Sequence, residues 1–271
     1  AHRATGSSSL RRESWPVQTS DSSSDLRALW APCEPLLGAR EGAKLAPNLR
    51  NYANMDFEQA RFNMVEQQIR TWEVLDPTVL ELLSRVHRED FVPPQFRGLA
   101  FADMEIPLGF GESMLAPKLE ARLIQEAAVQ RGDRVLEVGT GSRHMAALLS
   151  HLAQHVYTVE VVPELSEQAA KKLEVHGVAN VTVEVGDAAR GWDAHGPYDV
   201  ILITGSLPQL PQGFERALMT GGRLLAVIGD PPVMTAYRMR RAAGGGFTQE
   251  ALFETCIKAL RNAVQPERFV F

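Results

Sequence analysis

The sequence predicts an α/β fold: a doubly wound, Rossmann-like sheet, mostly parallel with an antiparallel edge, preceded by an N-terminal helical subdomain. Apolar segments of strand length alternate with helical segments from residue 119 to about residue 230. That alternation is typical of a parallel sheet with helices on both faces. The first strand, Arg134–Gly139, runs directly into a glycine turn, and turns of this kind open nucleotide sites.

Length and composition are those of an ordinary globular protein. The chain has 271 residues, of which 45% are hydrophobic and 23% charged, so a core can form without metals or disulfides. Cys33 and Cys256 stand far apart and outside any ligand spacing, which favours a reducing compartment. No apolar run approaches the roughly 18 residues of a membrane span, and the N-terminus lacks an apolar signal core. We therefore predict a cytoplasmic protein without membrane contact.

The charge pattern bears on partners. The formal net charge is −5, and no block of Lys and Arg occurs. Because phosphate contacts dominate nucleic-acid binding, this composition argues against a nucleic-acid partner. We expect a monomer.

Three regions can be distinguished along the chain. Residues 1–54 begin with eight serines in 25 residues and show no period, which predicts a disordered extension. Residues 55–118 form a predicted N-terminal helical subdomain and substrate loop, with one helix from Met55 to Trp72 and a second that starts at Asp76-Pro77. Their last part, residues 101–118, has glycine and proline but no period, so we expect a loop. Residues 119–271 form the predicted nucleotide-binding domain, whose last two strands surround Gly244–Gly246.

The glycine turn after the first strand lacks the features of two common phosphate sites. Gly139 and Gly141 allow a sharp turn and a close approach of the backbone to a ligand. A dinucleotide fingerprint needs a third glycine, where this chain has His144. No Gly-Lys-Ser/Thr follows, which excludes a P-loop. Only Arg143 offers positive charge nearby.

Acidic residues end the next two strands. Glu160 stands 19 residues after Gly141, where an acid can accept hydrogen bonds from ribose hydroxyls, and Asp187 ends the third strand, where a carboxylate can reach an adenine amino group. A nucleoside without phosphates suits this set, which indicates S-adenosylmethionine. The predicted cofactor-binding residues are Glu137, Gly139, Thr140, Gly141, Ser142, Glu160, Val161, Asp187 and Ala188.

Two other sequence patterns have a bearing on function. Asp230-Pro231-Pro232-Val233 is similar to the Asp-Pro-Pro-aromatic motif of amino-group methyltransferases, but the aromatic residue is absent and a proline turn is favoured. His144, His151 and His155 fall on one predicted helix, and the last two have a metal-binding spacing. Since no third ligand is evident, we predict no metal site.

Several segments together resemble one known family. They are RFNMVEQQI, VLELLSRVHREDFVPPQF, ADMEIPLGFG, VLEVGTGSRHMAALLSHLA, VEVVPEL, VEVGDAARGW, YDVILITGSLPQLP and GGRLL, within Phe57–Val227. In order and spacing they are similar to the protein-L-isoaspartate O-methyltransferases. The resemblance implies a seven-stranded methyltransferase sheet with an added N-terminal helical part. It also implies S-adenosylmethionine-dependent methylation of the α-carboxyl group of isoaspartyl residues in damaged proteins, a protein-repair reaction.

The chain departs from the family at the reaction centre. The family pattern G-x-T-I-S-x-P-H has a serine at that centre, where this sequence has Leu115, and Lys118 replaces the histidine. The catalytic residues are therefore unknown, with Ser113 and Lys118 as nearby candidates. Lys118 or Arg143 could hold a substrate carboxylate by charge. Two alternatives stay open: the same fold with a small-molecule carboxylate or hydroxyl substrate, and a non-catalytic S-adenosylmethionine-binding protein.

Overall fold

The computed structural model describes residues 55–266, which all belong to one compact unit. The predicted extension 1–54 and Cys33 lie outside the described residues. The described part opens with helices, as the sequence predicts. Their bounds are α1 (Phe57–Met64), a π-helical turn (Val65–Ile69), a 3-10 turn (Arg70–Trp72), α2 (Pro77–Arg85) and two 3-10 turns (Arg88–Asp90 and Pro94–Leu99).

Side-chain caps begin the first two helices. The Asp56 carboxylate accepts the backbone N–H of Gln59 ahead of α1. The Asp76 carboxylate accepts the N–H groups of Thr78 and Val79 ahead of α2, which starts with Pro77. A carboxylate at this position satisfies N–H groups that have no partner within the helix. The predicted start of the second helix is confirmed.

The expected loop at residues 101–118 contains a hairpin. Strand β1 (Ile106–Gly109) pairs antiparallel with β2 (Glu112–Met114), and together they form a separate two-stranded sheet. At the tip, Gly109, Phe110 and Gly111 all have positive φ, of 90°, 54° and 79°. Strands of four and three residues are too short to show a period of two in the sequence. We call β1, β2 and their tip the substrate hairpin, after the substrate loop that the sequence predicts in this region.

Alternating helices and strands follow the hairpin, as predicted. In chain order they are α3 (Pro117–Ala127), β3 (Arg134–Val138), α4 (His144–Leu152), β4 (His155–Glu160), α5 (Pro163–Val175), β5 (Val181–Val185), β6 (Tyr198–Leu207), α6 (Gln212–Ala217), β7 (Leu218–Ile228), β8 (Met234–Arg241) and β9 (Phe247–Thr255). Their strands form one seven-stranded sheet in the order β5-β4-β3-β6-β7-β8-β9. Strands β3 to β7 are parallel, and β8 and β9 form the predicted antiparallel edge.

The strand order determines where a ligand can bind. Chain order runs outward from β3 to β5 on one side and from β6 on the other, so the direction of winding reverses between β3 and β6. Crevices at such a point, beyond the carboxyl ends of the strands, are the usual ligand sites of open α/β sheets. The pairing of β6 with β7 is irregular between Leu202 and Ser206, at the same end of the sheet.

Side chains alternate between two core layers on the faces of the sheet. On β3, Val135 joins the layer that contains the N-terminal helices, α3 and α4, while Leu136 joins the opposite layer with Phe214 of α6. Both strand residues are fully buried, so this strand is fixed from both sides. Among residues 55–266, no helix combines the length and the apolar character that a membrane crossing requires.

Candidate functional site

A cleft opens at the carboxyl ends of β3 and β6, where the direction of winding reverses. The loops after β3, β4 and β5 form one wall, the substrate hairpin forms a second, and the segment after β9 forms a third. The residues that line it are Glu105, Glu112, Ser113, Leu115, Val138, Gly139, Gly141, Val159, Glu160, Val161, Gly186–Ala189, Thr204, Gly205 and Lys258–Arg261.

The glycine turn after β3 is held in place by a threonine of β6. Gly139 has φ +99°, which favours glycine, and a Cβ at this position would lie 2.5 Å from Thr204 Oγ1. The Thr204 hydroxyl donates to the carbonyl oxygens of Val138 and Gly139, both at 2.9 Å. The Gly139 backbone and the Thr204 hydroxyl are thus so close that a residue with a side chain would not fit at position 139. Thr204 was not among the predicted site residues.

Glu160 ends β4 and faces the cleft. Its Oε2 accepts the Gly141 N–H at 2.9 Å and its Oε1 accepts the Val162 N–H at 3.0 Å. The residue is only 4% exposed. Each carboxylate oxygen can accept two hydrogen bonds, so each retains capacity for a ligand hydroxyl. This is the arrangement that a ribose with two hydroxyl groups requires.

Asp187 follows β5 at the next position along the wall. Its Oδ1 accepts the Ala189 N–H and its Oδ2 accepts Asn262 Nδ2, both at 2.9 Å. The carboxylate is therefore oriented by one local and one distant donor. Its neighbours in the lining, Gly186 and Ala188, are small, which leaves room for a planar base beside it.

The predicted cofactor residues separate into two groups. Six line the cleft: Gly139, Gly141, Glu160, Val161, Asp187 and Ala188. The other three lie behind it and are buried. Thr140 Oγ1 is 2.6 Å from Thr158 Oγ1, and Ser142 Oγ accepts the His144 N–H at 3.3 Å. These hydroxyls are bonded within the protein, so they shape the turn from behind.

The third buried residue, Glu137, has unusual electrostatics. It is fully buried on β3, and neither carboxyl oxygen has a hydrogen-bond partner. Burial raises the pKa of Glu137 to about 8, and the negative charges of Glu120 and Glu160 add to the rise, while the nearby hydroxyl of Thr158 counteracts it. Burial therefore favours the protonated, neutral form of this carboxyl group.

The substrate hairpin brings the candidate Ser113 to the cleft, and Leu115, at the family serine position, follows directly after the hairpin. Ser113 and Leu115 both line it, and Ser113 Oγ donates to Glu105 Oε2 at 2.5 Å. The structure does not bring Lys118 there: its Nζ pairs with Asp103 at 2.7 Å and lies 4.8 Å from the centre of the Trp72 ring. Arg143 is also held elsewhere, since it is buried and donates to the carbonyl oxygen of Leu165 at 2.8 Å.

A buried polar network connects the hairpin to the glycine turn. Arg88 donates to Glu120 and, at 2.5 Å, to the carbonyl oxygen of Leu115, while His144 Nδ1 is 2.8 Å from Glu120 Oε2. Burial alone would raise the pKa of Glu120, but Arg88 and His144 hold it below its usual value. The network thus links Arg88 and the Leu115 backbone with Glu120 of α3 and with His144, the first residue of α4.

The prediction that His144, His151 and His155 share one helix is wrong. His155 does not share a helix with His151, because α4 ends at Leu152 and His155 is the first residue of β4. Its Nε2 lies 2.8 Å from Thr182 Oγ1. The four-residue spacing therefore has no helical geometry, and residues 55–266 contain no cluster of three His, Cys, Asp or Glu side chains suited to a metal.

The fold and the cleft together define a class I methyltransferase, with two acids in the cleft at adjacent strand ends. The model of the protein-L-isoaspartate(D-aspartate) O-methyltransferase (PCMT) family matches residues 59–259. This chain belongs to that family. It is accordingly a methyltransferase with S-adenosylmethionine as its methyl donor, as the sequence predicts.

Similar proteins agree with this assignment. A protein-L-isoaspartate O-methyltransferase of Protochlamydia amoebophila (strain UWE25) is 42% identical over 166 residues, 61% of this chain and 79% of that protein. One from Rhodopseudomonas palustris (strain ATCC BAA-98 / CGA009) is 38% identical over 208 residues, 75% of this chain and 95% of that protein.

Solved structures agree on the fold. A protein-L-isoaspartate O-methyltransferase superposes with a TM-score of 0.63 at 22% identity, over 75% of this chain and 65% of that chain. A beta-aspartate methyltransferase (PCMT) from Plasmodium falciparum, in complex with S-adenosyl-L-homocysteine, gives 0.62 at 17% identity, over 76% of this chain and 98% of that chain. The predicted seven-stranded methyltransferase sheet is confirmed.

Proposed function

We propose that this protein methylates the α-carboxylate of isoaspartyl residues in damaged proteins and that the cleft is its active site. The observation that carries the proposal is the arrangement of the cleft: Glu160 and Asp187 line one part of it, and Ser113 of the substrate hairpin and the adjoining Leu115 line another. Cofactor and substrate positions are therefore contiguous. Family membership supplies the substrate class.

On the cofactor side, each lining residue has a role that its contacts support. Glu160 accepts both ribose hydroxyls, since its two oxygens are already oriented by backbone N–H groups. Asp187 accepts the adenine amino group. Gly139 and Gly141 let the backbone approach the ligand, and Val161 and Ala188 contact the base. Glu137, Thr140 and Ser142 support the turn from behind.

The chemistry demands positioning more than proton transfer. When bound, S-adenosylmethionine supplies an activated methyl group: a carboxylate oxygen forms the new O–C bond as the C–S bond breaks, which leaves a methyl ester and S-adenosylhomocysteine. A carboxylate with a reference pKa near 4 is already ionised at pH 7, so no general base is required. The enzyme's contribution is to place the carboxylate in line with the methyl group and to exclude water, and the hairpin closes the substrate side of the cleft.

The test is methyl transfer from labelled S-adenosylmethionine to two peptides that differ only in isoaspartate or aspartate at one position. We expect a base-labile methyl ester on the isoaspartyl peptide alone. Equal labelling of both peptides, or of neither, would contradict the proposal. Cofactor binding is measured in parallel by titration calorimetry, so that an inactive protein that binds the cofactor is recognised as such.

A second candidate is transfer to a small carboxylate or hydroxyl compound, and Leu115 is the observation that favours it. A leucine in the lining, where the family has serine, removes an orienting hydroxyl from the cleft. A panel of small carboxylic acids and alcohols in the same assay distinguishes this reading. A protein that binds S-adenosylmethionine and methylates neither class would be the non-catalytic alternative.

The proposal extends to the domain organisation, the partners and the cellular location of the protein. We propose that residues 55–118 form a helical subdomain with the substrate loop and that residues 119–271 form the S-adenosylmethionine-binding methyltransferase domain. We also propose that the protein acts as a cytoplasmic monomer on protein or peptide substrates, without nucleic acid. The net charge of −5 supports the last point, and light scattering coupled to gel filtration tests the oligomeric state.

A further inference from the structure

The segment after β9 lines the cleft beside the end of β6. We call Lys258–Arg261 the C-terminal strap. The Ser206 N–H donates to the carbonyl oxygen of Lys258 at 2.9 Å, and the Leu260 N–H donates to that of Ser206 at 2.8 Å, so the strap pairs with the end of β6. Backbone hydrogen bonds thus fix the strap, and the side chains of Lys258 and Arg261 both line the cleft.

Two cations of the strap bind one carboxylate of the hairpin. Lys258 Nζ is 2.7 Å from Glu112 Oε2, and Arg261 Nε is 2.6 Å from Glu112 Oε1. Each oxygen of the carboxylate therefore has its own cation. Backbone carbonyl oxygens of the hairpin tip orient the same cations, because Lys258 also donates to Gly111 and Arg261 to Phe110.

The charges of the cleft make this pair of cations significant. Four acids line the cleft: Glu105, Glu112, Glu160 and Asp187. A substrate carboxylate would be repelled by them unless a cation stood beside it. Of the residues that line the cleft, Lys258 and Arg261 are the two that carry positive charge. Lys118 and Arg143 are engaged outside the cleft, as described above.

We propose that Lys258 and Arg261 form the subsite for the substrate carboxylate and that Glu112 occupies it until the substrate arrives. This inference rests on the proposed carboxyl methylation. Glu112 shows that the two cations hold a carboxylate with one oxygen on each. Ser113, the residue after Glu112, lines the same cleft, so the subsite adjoins the position where the family has its serine. Exchange of Glu112 for the substrate leaves the number of ion pairs unchanged.

The role of the cations also follows from the absence of a hydroxyl at Leu115. A serine there would orient the carboxylate by a hydrogen bond, and Leu115 offers none. A charge-assisted hydrogen bond to an ammonium or guanidinium group is stronger than one from a neutral hydroxyl. Lys258 and Arg261 thus supply from the strap the orientation that the hairpin lacks.

The experiment measures KM and kcat for the isoaspartyl peptide in four variants, with the cofactor Kd determined for each. We expect Lys258→Ala and Arg261→Ala each to raise the peptide KM about 10-fold, which corresponds to about 1.4 kcal/mol, with the cofactor Kd unchanged. Lys258→Arg keeps the charge and restores a KM close to that of the wild type. Glu112→Gln lowers the KM several-fold, because a neutral side chain competes less well for the cations.

Lys171→Ala removes an exposed lysine that pairs with Glu167 on α5, and we expect no change in KM. An unchanged KM in both alanine variants, or a KM raised by Glu112→Gln, overturns this inference while the methylation proposal stands. Absence of transfer by the wild-type protein to the isoaspartyl peptide overturns both.

Discussion

Glu160 Oε2 accepts the backbone N–H of Gly141 at 2.9 Å, so the acid that ends β4 is bonded to the glycine turn that follows β3. Two adjacent strand ends are thereby held in register by a side chain that also faces the cofactor cleft. The carboxylate is oriented before any ligand arrives, so less side-chain conformational entropy is lost when the cofactor binds.

Replacement of this acid tests its role as the ribose acceptor. Glu160→Gln is nearly isosteric but loses one acceptor oxygen and the negative charge, and we expect cofactor affinity to fall about 10- to 100-fold. Loss of one charged hydrogen bond, about 1.5–3 kcal/mol, accounts for this range. Titration calorimetry measures the change. The matched control is Glu167→Gln, an exposed acid on α5, for which an equal loss of affinity would refute the assignment.

The close approach of Gly139 to Thr204 predicts that the turn tolerates no side chain. Gly139→Ala places a methyl group 2.5 Å from Thr204 Oγ1 at a φ of +99°. We expect a loss of about 1–3 kcal/mol in the free energy of unfolding and at least a 10-fold loss of cofactor affinity. Gly132→Ala is the control, because a Cβ there meets nothing within 4 Å. Wild-type behaviour of Gly139→Ala in both assays would show that the clash relaxes.

The sequence allowed the residues at the strand ends of the cleft to be predicted, but not those of the C-terminal strap. Glu160 and Asp187 could be placed because they end regular strands, and parallel strands bring their carboxyl ends to one edge. Lys258 and Arg261 could not, since they reach the cleft through the pairing of a distant segment with Ser206. No local pattern encodes such a contact.

The sequence also did not show which polar residues are buried or where short strands form. The burial of Glu137 was not evident, because its position in the sequence shows only that it precedes the glycines. The substrate hairpin was expected as a loop, since its strands are too short for a period. Periodicity thus predicted the long elements, and tertiary contacts determined the rest.

The buried carboxyl group of Glu137 predicts a pH-dependent stability. In the folded protein its pKa is raised to about 8, whereas an unperturbed glutamate has a pKa near 4.5. Between these values folding takes up a proton, so this group lowers the free energy of unfolding by about 1.4 kcal/mol for each unit of rising pH. Glu137→Gln removes the dependence. The difference in stability between variant and wild type should therefore grow from pH 5 to pH 8 in denaturant titrations.

A surface acid provides the comparison for that measurement. Glu81→Gln alters an exposed residue that pairs with Arg85, and its stability curve should run parallel to that of the wild type. If the Glu137→Gln curve were parallel as well, the carboxyl group would be ionised in the folded protein, and the raised pKa would be wrong.

Loss of the buried ion pair Arg88–Glu120 should lower the free energy of unfolding and also affect the cleft. Glu120→Gln leaves Arg88 buried with its charge uncompensated, and breaking a buried pair in this way costs about 3–5 kcal/mol. Because Arg88 also donates to the carbonyl oxygen of Leu115, we expect the peptide KM to rise as well. Thermal and chemical unfolding measure the first effect. Glu66→Gln, in an exposed pair with Arg70, should change neither quantity.

Restoration of the family hydroxyl tests whether Leu115 limits the reaction. Leu115→Ser returns an orienting hydrogen-bond donor to the lining of the cleft, and contacts of this kind contribute about 2–4 kcal/mol to transition-state stabilisation. We expect kcat for the isoaspartyl peptide to rise at least 10-fold, with the cofactor Kd unchanged. Leu115→Ala is the matched control, since it opens the same space without a hydroxyl. An equal rise in both variants would mean that the leucine acts by steric obstruction. No rise in either would mean that the strap cations already orient the carboxylate fully.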